Sequence, residues 1–315
     1  MKILVTGAAG YVGRAVVNDL LAHGEQVVAV VHEHEPDLPD GVERRHADLT
    51  DHAAVSATVR GTDGVCHLAG LARAGLGSRP PTRHHTVNVT GTAHLVDAMA
   101  AETERTGRPA GLVFAPTGSA YGRPARVSVD EATPRDPLHA YAASKAAAED
   151  FIARQAATGV LGAITLRIFN AAGTSAGRAD QDLTRIIPRA VGAATRRTSP
   201  LEINADGTAV RDFVHVRGVA AVFTRALRAN SPGRHVVCNL GAHPASVRDL
   251  VASVERLTGN PVPPHHRPAV AQEARVQIAD TMAIRTALGR AATTRGLDDL
   301  VRDQWRTARR AEATP

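Results

Sequence analysis

Tyr141 and Lys145 stand one helical turn apart in the run Tyr141-Ala142-Ala143-Ser144-Lys145, so a helix presents both side chains on one face. A phenol has a pKa near 10 and is a weak acid–base at neutral pH. An ammonium group beside it favours the phenolate, so the expectation is that Lys145 draws the Tyr141 pKa down. The same lysine has donors to spare for the ribose hydroxyls of a cofactor. The pair on its own is a common pattern on solvated helices. It acquires meaning from the glycine-rich run Thr6-Gly7-Ala8-Ala9-Gly10-Tyr11-Val12-Gly13 near the N-terminus.

That run follows Met1–Val5, an apolar segment with the pattern of a buried parallel strand. Gly7 permits a tight turn, Gly10 lets backbone approach a pyrophosphate, and Gly13 lets the next helix pack closely on the strand. The helix is expected from about Tyr11 to His23, ending at Gly24, with its N-terminal amides, those of Tyr11 and Val12 included, turned toward phosphate. A second strand is expected at Gln26–Val31. An NAD site usually places an acidic residue at the end of that strand. Here the residues are Val31 and His32, with Glu33 late, which leaves NAD and NADP both open. His32 could face a 2′-phosphate, and Arg14 is a second candidate cation. His32 and His34 alone do not make a metal site, and no metal is expected.

Further strands are expected at Val65–Ala69, Gly111–Ala115, Ala163–Arg167 and Val236–Leu240. Helices are expected near Asp51–Arg60, Val87–Thr106 and Leu138–Thr158. This alternation predicts an α/β fold, a Rossmann-type doubly wound parallel sheet, with ligands at the carboxyl ends of its strands. Asp48-Leu49 falls in the turn after a third strand, where it could meet adenine; Thr50 or Asp51 could cap the following helix. After Asn170 the pattern turns irregular, which implies a smaller mixed α/β substrate unit. The expected division is 1–170 with about 213–241 for the dinucleotide, and about 171–212 with 242–315 for the substrate. The paired histidines His84-His85 and His265-His266 read as loop residues.

The 315 residues suit one or two domains with a large core. A net charge of +6 suits acidic small ligands. The arginines are scattered and no basic-aromatic stripe is present, so a nucleic-acid partner is not expected. No apolar run reaches membrane-spanning length and no signal peptide precedes the glycine turn, so a cytoplasmic protein without a membrane partner is expected. Cys66 and Cys238 sit in apolar runs and read as buried, reduced thiols.

Beyond the glycine turn, five segments carry a resemblance over nearly the whole chain. They are His67–Leu71, Asn88–Thr92, Thr117–Gly122, Leu166–Gly173 and Asp206–Val216, joined by Glu131, Pro134 and Pro137 ahead of Tyr141. With them the chain resembles an extended short-chain dehydrogenase/reductase of the NAD-dependent epimerase/dehydratase family, in its UDP-glucose (UDP-galactose) 4-epimerase branch. The resemblance implies catalytic Thr117, Tyr141 and Lys145. It implies a cofactor site formed by the glycine turn, Ala69, Gly70, Asn88 and Lys145. Asn170 would contact the nucleotide-sugar, such as a UDP-hexose, and Arg211 its pyrophosphate, where a guanidinium fits a phosphate in bidentate fashion. The alternative for Arg211 is a plain ion pair with Asp212 or another carboxylate.

The reaction implied is 4-epimerisation by transient hydride transfer to a bound nicotinamide, through a 4-keto sugar. An NADPH-dependent 4-ketoreductase needs the same residues, and a non-catalytic NAD(P)-binding protein is the third reading. A homodimer is implied as well, through the helix near Val87–Thr106 and the alanine-rich helix bearing Tyr141. Three positions depart from the pattern. Ala72, followed by Arg73, stands where a Lys is expected. Arg185 replaces an Asn three residues before Pro188. Arg267-Pro268-Ala269-Val270-Ala271-Gln272-Glu273 replaces an Arg-x-Gly-Asp run, with Arg275 as a further candidate. Gly118-Ser119, in place of Asp-Glu after Thr117, argues against a dehydratase.

Overall fold

The computed structural model describes residues 1–32, 36–72, 80–270, 274–289 and 295–313. Its main sheet has seven strands: β1 (Lys2–Thr6), β2 (Gln26–Val31), β3 (Glu43–His46), β4 (Gly64–His67), β5 (Gly111–Phe114), β6 (Gly162–Ile168) and β7 (His235–Leu240). They lie in the order β7-β6-β5-β4-β1-β2-β3, all parallel. Both faces are covered by helices, which is why these strands are apolar on both sides. Ile3, Val5, Val27 and Ala29 face one core, beneath helices Tyr11–Ala22 and Val216–Ala229. Leu4, Val28, Leu112 and Phe114 face the other, beneath His52–Val59, Gly91–Thr106 and Ala140–Ala157.

The strand order reverses between β1 and β4, which places a crevice at their carboxyl ends. A second sheet orders His243–Ser246, Val210–His215, Val276–Ala279 and Ser128–Val129, with Asn170–Ala172 joined beside Val210–His215. A third core, around Ile187, Val191, Phe213, Leu250 and Leu300, packs helices Ile186–Ala194, Val247–Thr258 and Leu297–Ala313.

The expected helix over Val87–Thr106 is interrupted. A short helix at Pro81–His85 runs into a wide π turn at Thr86–Thr90, and regular helix begins only at Gly91. His84 and His85 therefore end a helix, and His265-His266 lie in the strand Pro264–Arg267, so neither pair is in a loop. No described helix is long and apolar enough to cross a membrane. Cys66 and Cys238 are free and buried, and burial pushes the Cys238 thiol up to about 12.

Candidate active site

The glycine turn leaves β1 and folds back against β4. Gly7 has φ +70°, and a Cβ on it would come 2.7 Å from the Ala69 amide nitrogen. A Cβ on Gly13 would collide with the Gly7 carbonyl oxygen, so the helix sits directly on the turn. Gly10 caps that helix with no side-chain hydrogen bond, which leaves its first-turn amides to an anion. Tyr11 donates its hydroxyl to the Gly173 carbonyl at 2.7 Å, tying the cradle to the start of the irregular region.

Beneath Ala69 and Gly70 lies a buried polar stack. His67 bridges Thr6 Oγ1 at 2.7 Å and Thr92 Oγ1 at 2.8 Å. Burial holds its pKa well below 6.5, with the Lys145 charge acting in the same sense, so the ring is neutral. Thr6 Oγ1 in turn accepts the Ala69 amide at 3.1 Å. Asn88, presented by the π turn, accepts from Leu71 N at 2.7 Å and donates to Leu71 O at 3.2 Å and Ser144 Oγ at 2.9 Å. The loop after β4 is thereby fixed to the helix that carries Tyr141. Gly70 has φ +151°, and a Cβ there would fall within 2.9 Å of both Asn88 Oδ1 and Lys145 Nζ.

Lys145 is buried. Its ammonium donates to the Ala69 carbonyl at 3.2 Å and lies 5.0 Å above the Phe114 ring, and burial lowers its pKa to about 8. It does not draw the Tyr141 pKa down. Burial raises the phenol above 10.0; the Arg185 guanidinium and the Thr117 hydroxyl act in the opposite sense, and Lys145 has no part. The reason is placement: the ammonium turns toward Ala69, not along the helix to the phenol. Tyr141 stacks on the His139 ring at 5.9 Å and stands 6.4 Å from the His84 ring. Thr117 opens a short 3₁₀ turn, with its hydroxyl 2.8 Å from Ser119 Oγ.

His32 Nε2 lies 3.3 Å from Asp48 Oδ2, so the two candidate adenosine contacts face each other. Asp48 also accepts the Thr50 amide at 2.8 Å, while Asp51 caps the next helix through Ala54 N. Leu49 is buried against Gly91, and its carbonyl meets His94 Nδ1 at 3.0 Å. Asn170 donates to the Asp212 carbonyl at 2.8 Å. The carboxylate of Asp212 is taken up by the amides of Ala242, His243 and Ala279, so it does not serve as a simple partner for Arg211. Arg211 Nη1 donates to its neighbour's carbonyl, Val210 O, at 2.9 Å. Gln277, its register partner, donates to Gly118 O at 2.9 Å, joining the second sheet to the Thr117 turn. Arg267 pairs with Glu202 at 2.8 Å, and Arg275 shares a cleft of about 520 Å³ with Arg123 and Arg126. Glu33, His34, Arg73 and 271–273 lie outside the described residues. Among the described residues, no group of three His, Cys, Asp or Glu could hold a metal.

Sequence reasoning missed the supports: Thr6, His67 and Phe114, which hold the cofactor-side loop, and Arg185, which acts on Tyr141. Their partners are distant in sequence, so spacing carries no sign of them.

The model of the NAD dependent epimerase/dehydratase family matches residues 3–241. The chain belongs to that family. This family member is 34% identical over 303 residues to a UDP-glucose 4-epimerase of Streptomyces lividans, covering 91% of this chain and 90% of the relative. It is 30% identical to MoeE5, solved in complex with UDP-glucose and NAD, with a TM-score of 0.85 over 99% of this chain and 100% of the other. A UDP-glucose 4-epimerase from Stenotrophomonas maltophila, with bound NAD and formylated UDP-arabinopyranose, is 26% identical. It superimposes with a TM-score of 0.88 over 100% of both chains.

Proposed function

We infer that the chain is a nucleotide-sugar 4-epimerase that uses NAD, with a UDP-sugar as substrate. The observation that carries this is the placement of the Tyr141 phenol against the Thr117 hydroxyl, with Lys145 one turn along the same helix and bonded to the Ala69 carbonyl after β4, at the switch point of the sheet. The cradle fits a dinucleotide: Gly7 and Gly13 leave no room for side chains, and the helix cap at Gly10 leaves amides open. Gly7, Gly10, Tyr11, Val12 and Gly13 would hold the diphosphate, Lys145 and Asn88 the nicotinamide side, and His32, Asp48 and Leu49 the adenosine side. Bound NAD supplies an acceptor that can take a hydride from a sugar carbon and return it.

The chain's own residues handle the proton and the pose. Tyr141, once its own proton has passed to solvent, takes the proton of the sugar C4 hydroxyl as a phenolate and gives it back; burial raises the phenol pKa in the cofactor-free chain, so that deprotonation precedes the first step. Thr117 orients the C4 oxygen. Arg211 and Asn170 anchor the nucleotide while the sugar is presented in turn by either face. This division of labour rests on 1–170 with about 213–241 holding the cofactor, and about 171–212 with 242–315 holding the substrate.

A homodimer follows the same reading. Ala143 is exposed and Ala147 half-buried on the outer face of the catalytic helix, whereas Ala142, Ala146 and Ala148 are spent on the chain's own core. Light scattering that returns 33.0 kDa, the mass of one chain, would reject it. The enzyme is proposed to work in the cytoplasm, which cell fractionation checks. The main test is to denature the purified protein, identify the released nucleotide, and follow UDP-glucose and UDP-galactose by NMR. Released NAD with interconversion of a UDP-sugar pair is the expected result. An empty protein that consumes NADPH would reject the epimerase.

A further inference from the structure

Ser119 lies two residues after Thr117, and both of its polar groups turn back on that one hydroxyl. Its amide donates to Thr117 Oγ1 at 3.2 Å, and its own Oγ lies 2.8 Å from the same oxygen. On its other side Thr117 is hydrogen-bonded to the Tyr141 phenol. The three hydroxyls form one chain, from Tyr141 through Thr117 to Ser119. The turn that carries it is held on three sides. Gln277 donates to Gly118 O at 2.9 Å, and the Phe169 ring leaves no room for a side chain on Gly118. Tyr121 ends the turn fully buried, with its hydroxyl on Asn239.

A hydroxyl has one proton and two lone pairs. On Thr117 Oγ1 the Ser119 amide occupies one lone pair. While Tyr141 is a phenol, its O–H fills the other, and the Thr117 proton goes to Ser119 Oγ. A phenolate can only accept, so the Thr117 proton then turns to Tyr141. One lone pair of Thr117 would fall vacant, and Ser119 fills it by rotating to donate. The 2.8 Å separation serves both directions. Hydrogen bonds in series polarise one another, so Thr117 is a stronger donor with Ser119 behind it. The other groups around the phenol act differently. Arg185 reaches it through charge, beside the carboxylates of Asp180 and Asp182. The His139 and His84 rings pack with centres 5.9 and 6.4 Å from it, and Lys145 donates to Ala69 O.

Resting on the epimerase reading above, we propose that Ser119 is a positioning residue whose hydroxyl reverses as Tyr141 ionises and fixes Thr117 as a donor to the phenolate and to the sugar C4 oxygen. The reversal needs only rotation about two C–O bonds. One proton passes from Tyr141 to solvent, and neither hydroxyl gains or loses one. The same direction serves the hydride step. As C4 becomes a carbonyl its oxygen can only accept. Thr117, with both lone pairs filled by Ser119, has its proton free for that oxygen.

The test compares NAD-loaded wild type, Ser119→Ala and Ser119→Thr. Tyr141 ionisation is read from phenolate absorbance as the difference from Tyr141→Phe, which removes the signal of Tyr11 and Tyr121. In Ser119→Ala that ionisation and the acidic limb of the kcat profile should both move up by about one pH unit. Plateau kcat for a UDP-hexose should fall about 10-fold with KM unchanged, the loss expected for about one hydrogen bond. Ser119→Thr keeps the hydroxyl and should recover both. NAD per chain and UDP affinity by calorimetry should match the wild type in both variants. An unmoved ionisation and limb in Ser119→Ala overturns the proposal. So does Ser119→Thr behaving no better than Ser119→Ala. A loss of NAD or UDP affinity in step with kcat would make Ser119 a packing residue and overturns it too. A wild type that turns over no UDP-sugar would reject the epimerase, and the absorbance titration would still decide the role of Ser119.

Discussion

Lys145 and Glu149 are one turn apart on the helix Ala140–Ala157, and they are 3% and 4% exposed, yet their charges are handled in opposite ways. Glu149 forms a two-pronged pair with Arg167, Oε1 to Nη2 at 2.5 Å and Oε2 to Nε at 3.1 Å, and Arg135 adds a weaker contact at 3.4 Å. The network continues from Arg167 Nη1 to the Tyr121 hydroxyl at 2.6 Å, and from that hydroxyl to Asn239 Oδ1 at 2.7 Å. Asn239 N closes it on Glu131. Lys145 has one carbonyl and a ring face. A buried charge that is fully bonded is architecture; one left short of partners is a socket for something else. A single helix thus carries an anchored charge at Glu149 and, toward its N-terminus, the proposed reactive groups Tyr141 and Lys145.

The sharpest test of the reactive end is Tyr141→Phe. It should lower kcat by about 10²–10⁴-fold, the usual range for an acid–base group, while the released NAD per chain stays near the wild-type value. Wild-type turnover would remove Tyr141 from the chemistry.

At the anchored end, Glu149→Ala leaves Arg167 buried without its partner. Loss of about 3–5 kcal/mol of stability is expected from urea unfolding. A change no larger than that from the more exposed neighbour Asp150→Ala would erase the distinction drawn between the two ends.

Lys145→Met should move stability the other way in the cofactor-free protein. The folded pKa of about 8 lies below the model value of 10.5. Below pH 8 the lysine is charged in both states, and the cost of burying that charge is fully present. Between pH 8 and 10.5 the folded state loses the proton first, so wild-type stability rises with pH. The variant should gain up to about 3 kcal/mol at pH 7, shrinking toward zero near pH 10, and should bind NAD less well. A constant difference across that range would show that Lys145 is not held short of partners.

The smallest effect is expected at His67, whose lowered pKa keeps it neutral in the fold. As pH falls through 6.5 the unfolded chain takes up this proton and the folded chain does not, so stability falls. His67→Gln should flatten that acid slope, measured by urea midpoints between pH 5 and 7.

Local patterns made much of this legible in the sequence. β1, β2 and the glycine turn are apolar or Gly-rich in contiguous residues, and Tyr141 and Lys145 share a helical turn. β3 was harder to see: Glu-Arg-Arg-His is an edge strand, paired on one side only and mostly exposed, so no apolar pattern marks it. The π turn at Thr86–Thr90 was hidden because helical spacing continues through it. The direction of Lys145 depends on Ala69 and Phe114, and the role of Arg167 on Glu149 and Tyr121. Such partnerships follow from the sheet order, which brings β4, β5 and β6 side by side, and no window of sequence contains them.

The bond from Gln277 to Gly118 sets an order of events for the growing chain. Six strands of the main sheet, the glycine cradle and Tyr141 have all emerged from the ribosome by residue 168. The turn that carries Thr117 must then wait for a strand made more than a hundred residues later. Contacts of such long range close late and slowly. The glycine turn can therefore fold well before the Thr117 turn is pinned, and the last quarter of the chain decides when the proposed site is complete.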